Sequence, residues 1–297
     1  MSDELRLSEL PALRRPVLIT AFAGWNDGGQ AATLAAGYLS RQWETTRFAD
    51  IDPEGFVDFQ SVRPTVTLDE GLTRKLEWPE NEFFYGAIPG ADRDAVVLLG
   101  VEPNYRWRTF TNLITGLATD LGVELVVTLG ALLADVPHTR PAPVTGAATD
   151  PSLVEELGLQ LSRYEGPTGI VGVLHDGCRE AGLKSVSLWS AVPHYVSLAP
   201  SPRAAKALCV KLGELIGVEI DVAELTEAEN AYATQVSEAV ASDADTQAYV
   251  EELERRSDTI EHFVDDGELP TGESLAAELT RFLRDREREE PDGPSGQ

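Results

Sequence analysis

Short apolar runs alternate with stretches of helical periodicity over the first 220 residues, and Gly or Pro separates them. The clearest unit is a buried strand over 17–23, a glycine-rich loop at 24–29 and a helix over 30–43. Strands that alternate with helices in this way predict an α/β layered domain. Further strands are predicted over 47–51, 57–68, 82–87, 95–100, 125–130, 168–174 and 185–191, extended chain over 144–149, and helices over 105–121 and 201–216.

The pattern changes after residue 220, where strands cease and charge-rich helical stretches follow. These helices are predicted over 224–241, 246–263 and 272–288. We therefore divide the chain into four parts. They are a flexible N-terminus at 1–15, an α/β domain at 16–220, an acidic helical extension at 221–288 and a disordered tail at 289–297.

Charge narrows the possible functions. The chain carries 24 Lys and Arg residues against 50 Asp and Glu residues, a formal charge of −26. Residues 221–297 hold 22 of the acidic and six of the basic residues, so the excess is greatest in the helical extension. A net charge of this sign disfavours nucleic acid and anionic membrane surfaces as partners.

Location and redox chemistry follow from two further features. No run of 18 apolar residues occurs, and residues 1–16 lack the apolar core of a secretory signal, so we expect a cytoplasmic protein without membrane spans. The two cysteines, Cys178 and Cys209, exclude a disulfide framework and a cysteine-based zinc site.

Candidate ligand-binding residues lie where predicted strands end, which is where α/β proteins place ligands. The loop after the first strand offers backbone N–H groups to an anion, although it matches neither the dinucleotide nor the P-loop motif. Asn26 and Asp27 suit a ligand site and equally suit a turn and helix cap. The full candidate set is Gly24, Asn26, Asp27, Gly28, Gly29, Glu102, Asn104 and His194.

No catalytic constellation is apparent. His175 and Cys178 are adjacent in the sequence, but a cysteine in an apolar stretch is usually an inert core residue. The four histidines show no metal-binding spacing, so we expect no catalytic residue, no metal and no cofactor. Aromatic residues in loops are typical interface anchors, which makes Trp25, Tyr105 and Trp107 candidates for protein contacts.

Five separate segments together resemble the bacterial branch of the proteasome assembly chaperone 2 family. The resemblance spans about residues 16–217, and the helical extension resembles that of actinobacterial members. The segments are Ala-Phe-Ala-Gly-Trp-Asn-Asp-Gly-Gly-Gln at 21–30, Leu-Gly-Val-Glu-Pro-Asn-Tyr-Arg-Trp at 99–107, Gly-Ala-Leu-Leu-Ala-Asp-Val-Pro-His-Thr-Arg at 130–140, Tyr-Glu-Gly-Pro-Thr-Gly-Ile at 164–170 and Ser-Ala-Val-Pro-His-Tyr at 190–195.

The resemblance implies a three-layer α/β/α domain with a mixed central sheet, similar to the phosphorylase/hydrolase-like fold. Eukaryotic relatives bind proteasome α-subunits in pairs and insert a C-terminal hydrophobic-Tyr-x tail into the α-ring. Residues 294–297 read Pro-Ser-Gly-Gln, so that docking mode is not carried over.

Two main hypotheses about function remain open. The first is a non-catalytic protein-binding protein that forms a homo-oligomer, a trimer or dimer, and binds proteasome subunits or another protein. The second is a small-molecule binder, or a hydrolase- or phosphorylase-type enzyme, that uses the loops at strand ends. A third possibility is that the helical extension serves as an oligomerisation arm.

Overall fold

Eleven strands and six helices, besides two short 3-10 turns, make up the described part of the chain. The structure is a computed structural model, and it describes residues 4–69, 73–150, 152, 160–161 and 165–265. The strands are β1 Leu5–Leu7, β2 Val17–Ala23, β3 Thr46–Ile51, β4 Thr65–Asp69, β5 Thr73–Glu77, β6 Asn81–Ala87, β7 Asp94–Val101, β8 Leu125–Ala134, β9 Val144–Ala148, β10 Gln160–Leu161 and β11 Ser185–Pro193. The helices are α1 Ala31–Gln42, α2 Trp107–Asp120, α3 Ile170–Glu180, α4 Pro202–Ile216, α5 Ala223–Ala241 and α6 Ala244–Asp265.

Nine of the described strands form one mixed sheet, in the order β1-β3-β6-β7-β2-β8-β11-β9-β10. The four central strands, β7, β2, β8 and β11, run parallel to one another. The pairs β3–β6, β6–β7 and β9–β11 are antiparallel. Central strands of this kind are covered on both faces, and the sequence of β2, in which Thr20 is the one polar residue, agrees with that position.

Helices cover both faces of the sheet and create two cores. On one face α1 and α4 pack on the sheet, and four alanines of α1 let this helix approach closely. On the other face α2 and α3 pack together over a core that includes Phe22, Phe56 and Phe110. The predicted three-layer α/β/α architecture with a mixed sheet is therefore confirmed.

One predicted strand is wrong, and another is shorter than predicted. The run at 168–174 was predicted as a strand from its β-branched residues, but Ile170, Val171, Leu174 and Cys178 are all buried on one side of helix α3. That spacing is helical, which explains the difference. The strand predicted over 57–68 is shorter, because residues 58–62 form a turn and the extended chain begins only at Thr65.

The chain divides into two compact units, Met1–Ala244 and Asp245–Gln297. In the first unit α5 packs against α4, where Lys206 Nζ lies 2.7 Å from Glu229 Oε2. The described part of the second unit belongs to α6, within which Arg255 and Arg256 pair with Glu252. β1 lies inside the N-terminal stretch predicted to be flexible and pairs with β3.

The predicted helix over 272–288 and the predicted disordered tail lie outside the described residues. Within the residues that the structure describes, no helix combines the length and apolar character needed to cross a membrane.

Candidate functional site

The connections out of β2 and β7 leave the sheet on opposite faces. The chain leaves β2 through α1 on one face, and it leaves β7 through α2 on the other face before it enters β8. In the sheet, the strands that follow β2 in sequence up to β7 lie on one side of β2, and the strands that follow β8 lie on the other side of β8. The carboxyl ends of the neighbours β2 and β8 therefore flank a topological switch point, the usual position of a binding crevice in an open α/β sheet.

A cleft of about 770 Å³ lies at this switch point. Its walls come from the loop after β2, the end of β8, strands β9 and β11, and the first turns of α3. The lining residues are Gly24, Trp25, Asn26, Asp27, Gly28, Ala131, Leu132, Leu133, Thr145, Ala147, Pro167, Thr168, Gly172, His175, Ser187 and Trp189.

Glu102 joins two elements of the site. It directly follows β7, and its Oε2 accepts a hydrogen bond of 3.1 Å from the backbone N–H of Trp25. Its Oε1 accepts a second hydrogen bond, of 2.8 Å, from the N–H of Ile170 at the start of α3. The carboxylate thus satisfies a donor at a helix N-terminus, where negative charge is favourable, and fixes the loop beside it.

Asn26 completes this clamp from a buried position. Its side-chain oxygen lies 3.4 Å from the N–H of Val171, and its backbone oxygen accepts a 2.8 Å hydrogen bond from Ala131 in β8. Gly169 precedes α3, where an added Cβ would lie 2.0 Å from Asn26 Oδ1 and 2.5 Å from Glu102 Oε1. Only glycine fits there, and no pattern in the sequence marks this requirement.

Asp27 anchors the start of α1. Its Oδ1 accepts a 2.8 Å hydrogen bond from the N–H of Ala32, and its Oδ2 accepts one of 2.5 Å from the Thr33 hydroxyl. Burial raises the pKa of Asp27, and the hydrogen bonds from Thr33 and Ala32 only partly offset that rise. The Asp27 side chain therefore caps the N-terminus of α1, which is one of the two roles predicted from its residue type.

The glycines of the loop permit close packing. Gly24 and Gly29 have positive φ angles of 143° and 57°, and a Cβ on Gly29 would lie 3.0 Å from Val192 Cγ1. A Cβ on Gly28 would lie 3.1 Å from the backbone oxygen of Ala131. The loop is thus held tightly between β8 and β11.

Not all of the candidate residues come together. Four of them line the cleft: Gly24, Asn26, Asp27 and Gly28. Glu102 is not part of the lining, but it accepts a hydrogen bond from Trp25 in the same loop. The remaining three candidates lie outside the lining: Gly29 faces Val192, Asn104 accepts a 2.7 Å hydrogen bond from the N–H of Asp58, and His194 Nδ1 lies 3.2 Å from Asp135 Oδ1.

Apolar side chains dominate the accessible part of the cleft. Trp25 is 65% exposed, Leu132 44% and Leu133 57%. β8 pairs with β2 only up to Thr128, so its last residues extend beyond β2, although they pair with β11 up to Ala134. The predicted strand ended at residue 130 and therefore left out Leu132 and Leu133, although the apolar run from Leu129 to Ala134 was a usable signal.

The other two candidate anchors differ from each other. Tyr105 is about half exposed, whereas the indole N–H of Trp107 donates a 2.6 Å hydrogen bond to the backbone oxygen of Pro103. This hydrogen bond means that Trp107 helps to stabilise its own loop.

The neighbouring thiol and imidazole do not form a nucleophile. Cys178 is fully buried, and burial raises its pKa to about 11. His175 Nδ1 lies 2.8 Å from Ser185 Oγ, and burial lowers the pKa of this imidazole. The thiol thus stays protonated near neutral pH. Among the described residues, no group of three or more His, Cys, Asp or Glu side chains is arranged to hold a metal ion.

Comparisons with known proteins agree with this architecture. A profile of the PAC2 family matches residues 21–240. The crystal structure of a PAC2 family protein from Streptomyces avermitilis is 47% identical in sequence, with a TM-score of 0.74, and covers 79% of this chain and 99% of its own. That of a proteasome-assembly chaperone homologue from Mycobacterium tuberculosis is 44% identical, with a TM-score of 0.73 and the same coverage.

More distant relatives share the fold alone. An archaeal proteasome activator from Pyrococcus furiosus is 20% identical, with a TM-score of 0.62, and covers 79% of this chain and 97% of its own. No curated protein matches the sequence significantly. Because the family profile covers most of the chain, and the two actinobacterial structures match it at high identity, the protein belongs to the PAC2 family.

Proposed function

We propose that this PAC2 family protein is a non-catalytic protein-binding protein of the proteasome-assembly-chaperone type. The observation that carries the proposal is the exposed apolar surface formed by Trp25, Leu132 and Leu133 at the mouth of the cleft. Burying one such side chain on association contributes about 1.5–3 kcal/mol, and aromatic side chains of this kind serve as interface anchors.

The use of the polar groups also favours protein binding over catalysis. Glu102, Asn26 and Asp27 are the acidic and amide side chains nearest the loop, and each accepts hydrogen bonds from the protein's own backbone. Groups engaged in this way hold the loop and α3 in position. The apolar side chains are therefore the part of the site that is available for contact with a partner.

Proteasome subunits are the partners that we propose. Two relatives, a proteasome-assembly chaperone homologue and a proteasome activator, support this choice. The α/β domain would present its apolar surface to a proteasome subunit, and the chain would also associate with itself.

Calorimetric titration of the protein with purified proteasome α-subunits from the organism that encodes it tests the proposal. The double variant Trp25→Ser/Leu133→Ser should weaken binding by at least about a hundredfold, since two anchors of about 1.5 kcal/mol or more each are lost. Leu10→Ser, which changes a 46% exposed leucine at a distant position in the sequence, is the matched control and should leave binding unchanged. Absence of binding by the unmodified protein contradicts the partner, and equal binding by all variants contradicts the surface.

The cleft also supports a second candidate function, the binding of a small molecule. Its position at the switch point and its volume of about 770 Å³ favour this alternative. Native mass spectrometry of protein purified gently from its own cells separates the two hypotheses. A retained mass of metabolite size that disappears in a variant with a filled cleft, Ala147→Trp, would support the small-molecule function, and protein without any such mass would count against it.

A further inference from the structure

A second cavity, of about 570 Å³, lies along α4 and shares no lining residue with the cleft. Helix α4 forms one wall, with side chains that recur at helical spacing at positions 203, 206, 207, 210 and 211. The other walls are the segment from Thr139 to Val144, which leads into β9, and Glu229 of α5. The volume is within the range of roughly 300–1,000 Å³ that small-molecule sites occupy.

The charge of this cavity is opposite in sign to that of the chain. Its lining includes Arg203, Lys206 and Lys211 against a single carboxylate, that of Glu229, whereas the whole chain carries a formal charge of −26. The sequence contains only four lysines, and two of them line this cavity. The local charge therefore favours an anion, although the chain as a whole repels one.

One positive charge in the cavity has no counter-charge among the described residues. Arg203 and Lys206 share the Glu229 carboxylate, with Nε 3.1 Å from Oε1 and Nζ 2.7 Å from Oε2. The three side chains are only 14–30% exposed, so solvent screens this group weakly. Lys211 pairs with Glu214 at 2.8 Å, which balances its charge. The excess therefore belongs to Arg203 and Lys206, two cations that share one carboxylate.

Hydrogen-bond donors also remain at this position. Lys206 Nζ carries three N–H groups and donates one to Glu229. Arg203 donates from Nη1 to the backbone oxygen of Arg140 and pairs with Glu229 through Nε, which leaves its Nη2 without a partner among the described residues. Carboxylates accept strong, charge-assisted hydrogen bonds from such groups. Because the excess is a single charge, a ligand with one negative charge matches it, and a nucleotide with several exceeds it.

The remaining lining of the cavity is mainly apolar. Its apolar residues are Pro141, Ala142, Val144, Ala207 and Val210, and the Val210 side chain is 42% exposed in the absence of a ligand. Burial of hydrocarbon against such a wall is favourable. The cavity thus combines one uncompensated cation with an apolar wall.

We propose that this cavity binds an organic monoanion with an apolar body, of the medium-chain carboxylate class. The ligand's carboxylate pairs with Lys206 and Arg203, and its hydrocarbon chain lies along Val144, Ala207 and Val210. The proposal is independent of the proposed function, which concerns the cleft and the apolar residues at its mouth.

Calorimetric titration of the full chain with octanoate tests the ligand class. Octanoate should bind saturably at one site per chain. Acetate keeps the carboxylate without the long chain, and octanamide keeps the chain without the charge, so each should bind at least about tenfold more weakly. Absence of saturable octanoate binding, or equal affinity for octanamide or acetate, overturns the proposal.

Two substitutions with opposite expected effects test the position of the site. Lys206→Met removes the excess charge and should weaken octanoate binding at least about tenfold, whereas Glu229→Gln removes the competing carboxylate and should strengthen binding about tenfold. Lys184→Met is the matched control, because it removes the same charge from a residue outside the cavity, and it should leave binding unchanged.

Circular dichroism identifies any variant that fails to fold. Equal octanoate affinity of Lys206→Met and Lys184→Met overturns the assignment, as does weaker binding by folded Glu229→Gln. Loss of octanoate binding in Ala147→Trp, the variant with a filled cleft, would place the ligand in the cleft and would also overturn the assignment.

Discussion

Removal of the Glu102 carboxylate should destabilise the protein, because this side chain joins the loop after β2 to the start of α3. Its two oxygens accept hydrogen bonds of 3.1 Å and 2.8 Å from the N–H groups of Trp25 and Ile170. In Glu102→Ala both donors lose their acceptor, and the N-terminus of α3 loses a favourable negative charge.

The magnitude follows from these two bonds. A hydrogen bond to a charged group contributes about 1.5–3 kcal/mol, and loss of a capping acceptor at a helix N-terminus costs about 0.5–2 kcal/mol. Glu102 is half-buried, so water replaces part of the loss, and we expect Glu102→Ala to lower the free energy of unfolding by about 2–4 kcal/mol. For a domain of this size the midpoint of thermal unfolding should fall by roughly 5–15 °C.

Urea denaturation followed by circular dichroism provides the measurement. Glu102→Gln keeps one acceptor oxygen and should lose about half as much stability. Glu219→Gln removes a carboxylate that is exposed and makes no hydrogen bond or ion pair to described residues, so it controls for the change in net charge. If Glu102→Ala unfolds within about 0.5 kcal/mol of the unmodified protein, the clamp does not stabilise the fold.

Three further predictions concern buried groups and helix propensity. Burial raises the pKa of Asp27, so the contribution of this residue to folding stability should fall as pH rises from the ordinary pKa of 3.8 through the raised pKa. The difference in unfolding free energy between the unmodified protein and Asp27→Asn should therefore change across that pH window. A constant difference in urea midpoints contradicts this prediction. Burial raises the pKa of Cys178 to about 11 and of Cys209 to about 12, so a thiol dye at about pH 8 should label neither before unfolding, and labelling of the folded protein contradicts their burial. Gly37 lies inside α1 with open space around it, so Gly37→Ala should raise the free energy of unfolding by about 0.5–1 kcal/mol, and a decrease would show a hidden contact.

The hydrophobic pattern predicts the core of the sheet well, because fully apolar strands carry a strong signal. The strand, loop and helix at the start of the domain appear at nearly the predicted boundaries, as β2 and α1 do. The pattern fails at α3, whose Ile170, Val171 and Val173 resemble a strand over a short window. Helical spacing becomes clear only when Leu174 and Cys178 are counted with them, because short apolar runs are ambiguous.

The candidate site is only partly predictable, for reasons that lie in tertiary structure. The rule that ligands gather at strand ends correctly groups Asn26, Asp27 and Glu102. Their actual hydrogen-bond partners depend on where α3 docks, and the sequence assigned that segment to a strand. The requirement for glycine at position 169 has the same origin, since it arises from contacts with residues 26 and 102.

Hydrogen–deuterium exchange, measured with and without purified proteasome α-subunits, tests the proposed binding surface most directly. We predict slower exchange at the amides of residues 24–28 and 131–133, where Trp25, Leu132 and Leu133 present their exposed side chains. Amides of the β4–β5 hairpin should not change, since no residue of this hairpin lines the cleft. Protection confined to other segments, or no protection at subunit concentrations that saturate binding, would contradict binding through this surface.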